Sequence, residues 1–227
     1  MITTYTGLTV ELLQATESPT ALVALACSIT QHTDPETDIT PASAELVKYL
    51  YTAEHGNPLE HVTYTFLLQG ISRNLATQLV RTRSASYTSG SQHYSDYRSM
   101  PVSVCPSIAD DPEKFRAVSN AVEASVIVYE ALVDDLGVPI EDARQILCGG
   151  CTVTVLLTIN ARNLCRFLEQ RLCNRNVPEM QVLAEKLLSL ATEHFPELFS
   201  NVGPQCYTSK CKQGKMACGT PYWKKTV

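Results

Sequence analysis

Residues 61–91, HVTYTFLLQGISRNLATQLVRTRSASYTSGS, contain a predicted strand, helix and loop in one unbroken stretch. Polar and apolar side chains alternate along residues 61–68, which are rich in β-branched and aromatic residues, and this pattern predicts a strand. Residues 72–80 have the pattern of a helix. After the Arg-Thr-Arg run at residues 81–83 the chain is mostly serine, threonine and glycine. This composition is typical of a backbone that bends closely around something, so we predict a loop there.

Further elements are predicted on both sides of this stretch. Before it, we expect a strand over residues 8–13, a helix that begins at Ser18-Pro19, a helix that begins at Thr40-Pro41, and a turn over 54–58. After it, we expect a connecting loop over 99–110, a helix from Asp111-Pro112 to about Gly137, and a short helix that begins at Pro139. These are followed by a strand or buried apolar run over 152–159, a helix capped by Asn160, and a last helix from Pro178. The sequence therefore predicts a single α/β (α+β) domain over residues 1–203, with a central sheet flanked by long helices, and a cysteine-rich tail over 204–227.

The balance of charge argues against two classes of partner. The chain has 18 Lys and Arg residues against 23 Asp and Glu residues, which disfavours nucleic acid and anionic membrane surfaces. No apolar run approaches the ~20 residues of a membrane span. The N-terminal residues lack the basic start and apolar stretch of a signal peptide. We expect a soluble, cytoplasmic protein.

Most arginines are concentrated in two segments of this acidic chain. The first contains Arg81, Arg83 and Arg98, and the second contains Arg144, Arg162, Arg166, Arg171 and Arg175. Guanidinium groups next to hydroxyls and free amides suit a phosphate or another oxyanion, so the clusters indicate a local anion pocket. For the first two arginines alone, a solvated basic helix end is the alternative interpretation.

Arg171 lies on an apolar face of the helix that follows Asn160. At about 100° per residue, Leu164, Phe167, Leu168 and Leu172 cover that face, and Arg171 falls within it. A buried guanidinium needs a carboxylate, a carbonyl or an anionic ligand, because an unpaired buried charge costs several kcal/mol. The alternatives to a bound ligand are an ion pair with Glu169, Glu179 or an acid on another helix, and extension of the side chain to solvent.

The nine cysteines do not form the pattern of a disulfide framework. Their number is odd, and six of them lie in apolar or helical contexts, where cysteine behaves as a small buried hydrophobe. Cys206, Cys211 and Cys218 lie in the tail and would need a fourth ligand to bind zinc, without the usual CxxC pair. Free thiols or a tail disulfide are the preferred interpretation.

The arginine segment and its neighbours together resemble the flavin-dependent thymidylate synthases. The hallmark of that family is Arg-His-Arg, seven residues and then Ser, after a helix with Gln three residues before the first Arg. Those places are occupied here by Gln78, Arg81, Arg83 and Ser91. Further family segments follow in order: H-x-x-P-x-E-H with His55 and His61, E-x-A-R at 141–144, N-A-R at 160–162, and Arg171 with Glu179 after it. The tail GPQCYTSKCKQGKMACG is similar to tails in one branch of the family.

The resemblance implies an enzyme that methylates C5 of a uridine 5′-monophosphate, dUMP or UMP or both. It implies FAD as the cofactor, methylenetetrahydrofolate as the source of methylene, and NADPH as the reductant. In the family, reduced flavin is the intermediary and hydride source, and no cysteine nucleophile is needed. The resemblance also implies a homotetramer with active sites shared between chains.

The same resemblance assigns roles to individual residues. The residues expected to bind the nucleotide are Gln78, Arg81, Ser89, Gly90, Ser91, His93, Arg144 and Arg171. The residues expected to bind FAD are His55, Arg81, Thr82, Arg83, Ser89, Asn160, Arg162 and Arg166. Arg171 is expected to be catalytic, by stabilising negative charge on the pyrimidine as C5 becomes nucleophilic. No metal is expected.

Several positions differ from the family pattern. Thr82 replaces the signature His, Thr88-Ser89 replace a frequent Asn-Glu, His93 replaces an Arg, and Arg175 replaces a common His. The small side chains in the loop leave room for a ribose 2′-hydroxyl, as in relatives that methylate UMP in nucleoside-antibiotic pathways. We therefore predict that UMP is accepted alongside dUMP.

Two other functions are compatible with parts of the sequence. One is a non-catalytic relative that binds FAD and nucleotide but has lost turnover through Thr82 and His93. The retained polar site residues argue against it, because polar groups that cost stability are kept when they bind something. The other is a metal-binding or scaffold protein organised by the tail, for which His194 is the nearest imidazole.

Overall fold

The strands and helices follow the predicted alternation. The structure is a computed structural model, and it describes residues 2–4, 7–30, 40–98, 101–207 and 210–220. The strands are β1 (Ile2–Thr4), β2 (Thr9–Ala15), β3 (Thr63–Ser72), β4 (Ser86–Ser89), β5 (Val102–Val104) and β6 (Thr152–Asn160). The α-helices are α1 (Pro19–Thr30), α2 (Ala44–Thr52), α3 (Arg73–Leu79), α4 (Pro106–Ala109), α5 (Pro112–Glu130), α6 (Ile140–Ala143), α7 (Ala161–Arg171), α8 (Pro178–His194) and α9 (Pro196–Phe199).

The strands confirm the predicted α/β class. Strands β2, β3, β6 and β4 form a four-stranded antiparallel sheet in that order. The short strands β1 and β5 pair in parallel, with Ile2 opposite Val102. Internal contacts divide the chain into two compact units. Unit 1 comprises Met1–Thr9, Leu67–Arg81 and Tyr87–Leu156, and unit 2 comprises Val10–Phe66, Thr82–Ser86 and Leu157–Val227. The boundary of the tail at residue 203 stays a prediction.

Unit 2 has an aromatic core built on β3. Tyr64 stacks on Phe66 with ring centroids 5.8 Å apart and meets Phe199 and His194 edge-on. Helix α7 buries its apolar stripe as predicted, because Leu164, Phe167, Leu168 and Leu172 are all buried. Such a stripe holds the helix rigidly against the core, so its polar residues are displayed at fixed positions.

Unit 1 has a smaller core beside β5. Tyr97, Val102, Val104 and Cys151 form a buried cluster, and apolar side chains of α4 and α5 pack against it. Helix α5 begins at its predicted cap, since Asp111 accepts hydrogen bonds from the backbone N–H groups of Glu113 and Lys114. It ends in a π-helical turn over Ala131–Asp135.

Four details of the predicted elements are wrong. Helix α2 begins at Ala44 rather than after Thr40, because Ser43 supplies the capping oxygen to Leu46. Strand β3 is shifted towards the C-terminus, to Thr63–Ser72. The expected loop over 99–110 contains β5 and α4, and the hydroxyl-rich loop after Arg83 contains β4. Residues 99 and 100 lie outside the described residues. Short strands of this kind depend on a partner strand distant in sequence, so local composition does not reveal them.

Candidate functional site

The N-terminal end of α7 holds one of the predicted arginines in place. Asn160 caps the helix, because its side-chain oxygen accepts a hydrogen bond of 2.9 Å from the backbone N–H of Asn163. The Arg162 guanidinium donates to Asn57 at 2.9 Å and forms a short ion pair with Glu60. Both acceptors belong to the HGNPLEH segment, so a local cap and a distant turn together orient Arg162.

Gly56 leaves room for the Arg162 side chain in this arrangement. A Cβ atom there would lie 2.9 Å from the Arg162 Nε atom, closer than side chains pack. His55 precedes this glycine and is exposed, with its ring centroid 5.9 Å from that of Tyr49. The turn therefore places the backbone of the predicted flavin residue His55 next to the arginine predicted for the same ligand.

A cavity of about 560 Å³ opens beside this arginine within unit 2. Such a volume is ordinary for a site that binds a cofactor or a small molecule. Two predicted flavin residues, Arg162 and Arg166, line it, and the tail adds Lys212. The other residues that line the cavity are Leu50, Tyr51, Thr52, Glu54, Gly56, Leu59, Cys165, Glu169, Gly203 and Gln205.

The half-buried Tyr51 and the buried Cys165 line the cavity, and both keep their protons. The Tyr51 hydroxyl donates a hydrogen bond of 2.6 Å to Glu169, and burial, followed by this carboxylate, raises the pKa of Tyr51 far above its usual value. Burial likewise raises the pKa of the Cys165 thiol, which is therefore a neutral side chain and a poor nucleophile. The positive side of the cavity is thus left to its arginines and lysine.

Thr82 and Arg83 of the Arg-Thr-Arg segment belong to unit 2, and the next residue, Ser84, is hydrogen-bonded to α7. The Asn163 side-chain amide donates a hydrogen bond of 3.3 Å to the carbonyl of Ser84. Within the part of the chain that the structure describes, the exposed Arg83 side chain forms no hydrogen bond or ion pair, and neither does Arg166. Two guanidinium groups in unit 2 thus have no acceptor among the described residues, and they are available to an anionic ligand.

The C-terminal end of α7 carries the arginine on the apolar face. The guanidinium of Arg171 lies 5.8 Å from the centroid of the Phe167 ring. Its Nε is buried and makes no hydrogen bond within the described residues. A buried donor without an acceptor costs about 1–3 kcal/mol, so an incoming oxygen ligand would relieve this penalty.

Unit 1 contains most of the residues predicted for the nucleotide. Gln78 is half-buried near the end of α3, and Arg81 follows it at the surface. The loop after β4 is fixed by its own polar groups, because the Gly90 N–H donates to the carbonyl of Thr154 at 2.9 Å, and the Ser91 hydroxyl accepts from the His93 N–H at 3.1 Å.

Arg73 is a positioning residue that the sequence analysis missed. Its guanidinium donates a hydrogen bond of 2.9 Å to the carbonyl of Gly90 and so fixes the loop from the start of α3. Arg144 is half-buried in a 3-10 turn, Arg144–Ile146, and its side chain forms no hydrogen bond or ion pair with the described residues.

The structure groups the predicted residues by unit. Unit 1 contains Gln78, Arg81, Ser89, Gly90, Ser91, His93 and Arg144. Unit 2 contains His55, Thr82, Arg83, Asn160, Arg162, Arg166 and Arg171. The roles of these residues stay predictions. The sequence analysis missed Tyr51 and the acceptors of Arg162, Asn57 and Glu60, although the HGNPLEH segment that supplies those acceptors was a signal.

Two further findings bear on other classes of function. Among the described residues, no three His, Cys, Asp or Glu side chains come close enough together to hold a metal ion. No helix in the same part of the chain has the length and apolar character needed to cross a membrane.

Comparisons with known proteins agree with the resemblance. Residues 11–197 match the family model described as "Thymidylate synthase complementing protein". The chain is similar to the flavin-dependent thymidylate synthase of Geobacter sulfurreducens, with 37% identity over 217 residues that span 92% of this chain and 93% of that protein. It is also similar to the flavin-dependent thymidylate synthase of Clostridium tetani, with 31% identity over 94% of each chain.

A solved structure supports the fold. The crystal structure of a UMP/dUMP methylase PolB from Streptomyces cacaoi, bound with 5-Br dUMP, matches with a TM-score of 0.75 and 23% identity. The match covers 88% of this chain and 95% of that chain. The family match spans both units and most of the length. The chain therefore belongs to the family of flavin-dependent thymidylate synthases.

Proposed function

We propose that the chain methylates C5 of dUMP, with FAD as its cofactor, methylenetetrahydrofolate as the one-carbon donor and NADPH as the reductant. The observation that supports this most directly is Arg171, whose buried Nε has no acceptor in the described structure. A pyrimidine carbonyl would supply that acceptor. As C5 becomes nucleophilic, negative charge grows on the pyrimidine. A preorganised guanidinium therefore stabilises the transition state more than it stabilises the bound substrate.

The residues of unit 2 fit the anionic part of FAD. Arg162 and Arg166 line the cavity, and the guanidinium of Arg166 has no acceptor among the described residues. A diphosphate needs several cationic or N–H donors, and this set supplies them. Of the residues that would hold FAD, unit 2 supplies His55, Thr82, Arg83, Asn160, Arg162 and Arg166, and unit 1 supplies Arg81 and Ser89. When bound, reduced FAD supplies the hydride of the reaction.

The residues of unit 1 fit a uridine monophosphate. The half-buried Arg144 has no protein acceptor in the described structure, so it would bind the phosphate as a fork donor. The loop residues Ser89, Gly90, Ser91 and His93 would border the nucleotide, with Gln78 and Arg81 from the α3 end. Because Arg73 and Thr154 fix Gly90 in place, this loop is ordered before the ligand arrives, which lowers the entropic cost of binding.

We also propose a homotetramer with shared active sites. Helix α5 presents Ile127 and Val128 to solvent in the single chain, with 59% and 44% of their surface exposed. A second copy of the chain would remove this apolar surface from water, as the subunit contacts of oligomers do. Light scattering at micromolar concentration tests this, and a strict monomer with full activity contradicts it.

Turnover with purified protein tests the proposed activity. We expect bound flavin in the visible spectrum, and dTMP formed from dUMP only when methylenetetrahydrofolate and NADPH are both present. Flavin and dUMP binding without turnover would instead support the non-catalytic relative. A colourless protein with no FAD binding by calorimetry would remove both.

A second substrate is supported by the loop itself. Ser89 and Gly90 are small and exposed, and the Ser91 hydroxyl accepts a hydrogen bond from the His93 N–H. Residues 88–93 contain no carboxylate side chain that would exclude a 2′-hydroxyl. An open site discriminates weakly between sugars. We expect UMP to be methylated alongside dUMP, and Ser89→Glu with His93→Arg to shift the ratio of kcat/KM towards dUMP. Strict dUMP specificity in the unmodified protein would refute this interpretation of the loop.

A further inference from the structure

Cys148-Gly149-Gly150-Cys151, the CGGC turn, joins the 3-10 turn that carries Arg144 to β6. The Cys151 N–H donates a hydrogen bond of 3.1 Å to the carbonyl of Cys148, which closes a tight turn. In such a turn the first and fourth Cα atoms lie within about 7 Å of each other. Disulfides usually join Cα atoms about 4.4–6.8 Å apart, so the backbone already has the span that a disulfide requires.

Both cysteines of the turn are free thiols. Hydrogen bonding between the two side chains, helped by backbone N–H groups of the turn, lowers the pKa of Cys148, and the same interaction together with burial raises the pKa of Cys151. Cys148 is half-buried, whereas only 4% of Cys151 is exposed. The more accessible sulfur is therefore the one with thiolate character, as in an attacking cysteine.

The backbone of the CGGC turn is held on two sides. The carbonyl of Gly149 accepts from the Asn74 N–H at 3.0 Å, and the carbonyl of Gly150 accepts from the Ser103 N–H at 2.8 Å. A Cβ atom on Gly149 would lie 2.3 Å from the Asn74 side chain, and one on Gly150 would lie 2.9 Å from the Ser103 carbonyl. The glycines thus permit close packing that keeps the two cysteines together and raises their effective concentration.

We propose that Cys148 and Cys151 form a redox-active dithiol, which low-molecular-weight disulfides convert to an intramolecular disulfide. The Cys148 thiolate attacks one sulfur of the disulfide RSSR, which forms a mixed disulfide and releases RS⁻. Cys151 then loses its proton and attacks the Cys148 sulfur, which releases a second RS⁻. The protein gives up two electrons and two protons, and RSSR becomes two RSH. No partner of the proposed methylation is consumed, so this site is independent of the proposed function.

Thiol mapping in glutathione buffers tests the proposal. The folded protein is equilibrated over a series of ratios of reduced to oxidised glutathione, quenched with acid, alkylated and digested with trypsin. Cleavage after Arg144 and Arg162 yields the peptide 145–162, which contains Cys148 and Cys151 and no other cysteine. We expect its doubly alkylated form to be replaced, in one two-electron transition, by an unalkylated form that is two hydrogen atoms lighter.

Two variants and one internal control sharpen the test. Cys151→Ser should accumulate glutathione on Cys148, because the second step is removed. Cys148→Ser should leave Cys151 unmodified. The peptide 99–114 contains Cys105 alone, whose sulfur contacts the Ser107 hydroxyl, and it should stay alkylated at the glutathione ratios at which the peptide 145–162 is oxidised.

Two results would overturn the proposal. One is a doubly alkylated peptide 145–162 at every glutathione ratio while the wild-type protein stays folded by circular dichroism. The other is about one zinc ion per chain in the purified protein that Cys148→Ser removes, since the pair would then be a metal ligand. The first outcome is measured on the wild-type chain alone, and the second counts only if Cys148→Ser keeps the wild-type circular dichroism spectrum.

Discussion

The two ends of α7 carry arginines for which the protein provides very different surroundings. At the start, Arg162 is bound by Asn57 and Glu60 and next to a glycine that makes room for it. At the end, Arg171 lies over Phe167 with a buried Nε that has no acceptor in the described residues. The helix is one rigid element, so the difference does not come from its backbone.

The difference separates an arginine whose acceptors belong to the protein, Arg162, from one whose buried Nε has no acceptor among the described residues, Arg171. Arg162 keeps its geometry without any ligand, so its loss should weaken binding and leave chemistry possible. The Nε of Arg171 has no acceptor in the described part of the chain, and such a group is retained at a cost when a ligand satisfies it. Substitutions along and beside α7 test this distinction.

The largest effect is expected at the end of the helix. Arg171→Ala should lower kcat by about 10²–10³-fold, the loss seen when a preorganised donor to a developing charge is removed. FAD content and the far-UV circular dichroism spectrum should change little. Arg175→Ala, which removes an exposed arginine four residues later, is the matched control and should retain most activity. If Arg171→Ala unfolds yet keeps its activity per folded molecule, Arg171 is a structural residue and the comparison fails.

A smaller effect is expected at the start of the helix. Glu60→Gln removes the charged acceptor of Arg162, and Asn57 then holds the guanidinium alone. We expect FAD to bind about tenfold more weakly, which corresponds to about 1.4 kcal/mol, while kcat at saturating FAD changes little. Calorimetric titration of the deflavinated protein measures it. Glu185→Gln, on the exposed side of α8, controls for the loss of one carboxylate. A fall in kcat with unchanged FAD affinity would place Arg162 in the chemistry instead.

The smallest effect concerns Tyr51 on α2 and its partner Glu169 in the last turn of α7. Tyr51→Phe removes the hydroxyl that donates to Glu169, and we expect the free energy of unfolding at pH 7 to fall by about 1–2 kcal/mol. Burial, and then Glu169, raise the pKa of Tyr51 above the ordinary value near 10, so the folded chain keeps this proton at a pH where the unfolded chain has lost it.

This linkage predicts the sign of the pH dependence. The wild-type protein should lose stability as pH rises above about 10, and Tyr51→Phe should lose less over the same range. Some loss should remain in the variant, because burial also raises the pKa of Tyr64. Denaturant titrations at pH 9 and pH 11 measure it, and equal slopes in the two proteins would show that Tyr51 titrates normally.

Local signals in the sequence predicted much of the fold and some of the site. Asn160 caps α7 and Asp111 caps α5 because a cap forms between residues two or three apart. The buried stripe of α7 follows from its 3.6-residue period, and the order of motifs along the chain was sufficient for the family. By contrast, β5 pairs with β1 across about a hundred residues, and β4, which lies beside β6 in the sheet, has the composition of a loop. Neither β5 nor β4 has a strand signal in its own sequence.

The sequence by itself determined which residues carry charge, where most helices begin and to which family the chain belongs, because each of these depends on neighbours in the chain or on motif order. Only the tertiary structure decided which of those charges are satisfied. The acceptors of Arg162 lie about a hundred residues before it, and the contact that fixes Gly90 comes from Arg73 on α3. The turn of Cys148 and Cys151 likewise depends on amides of Asn74 and Ser103. Such partners are chosen by packing in three dimensions, because a hydrogen bond forms wherever donor and acceptor come within reach, whatever their separation along the chain.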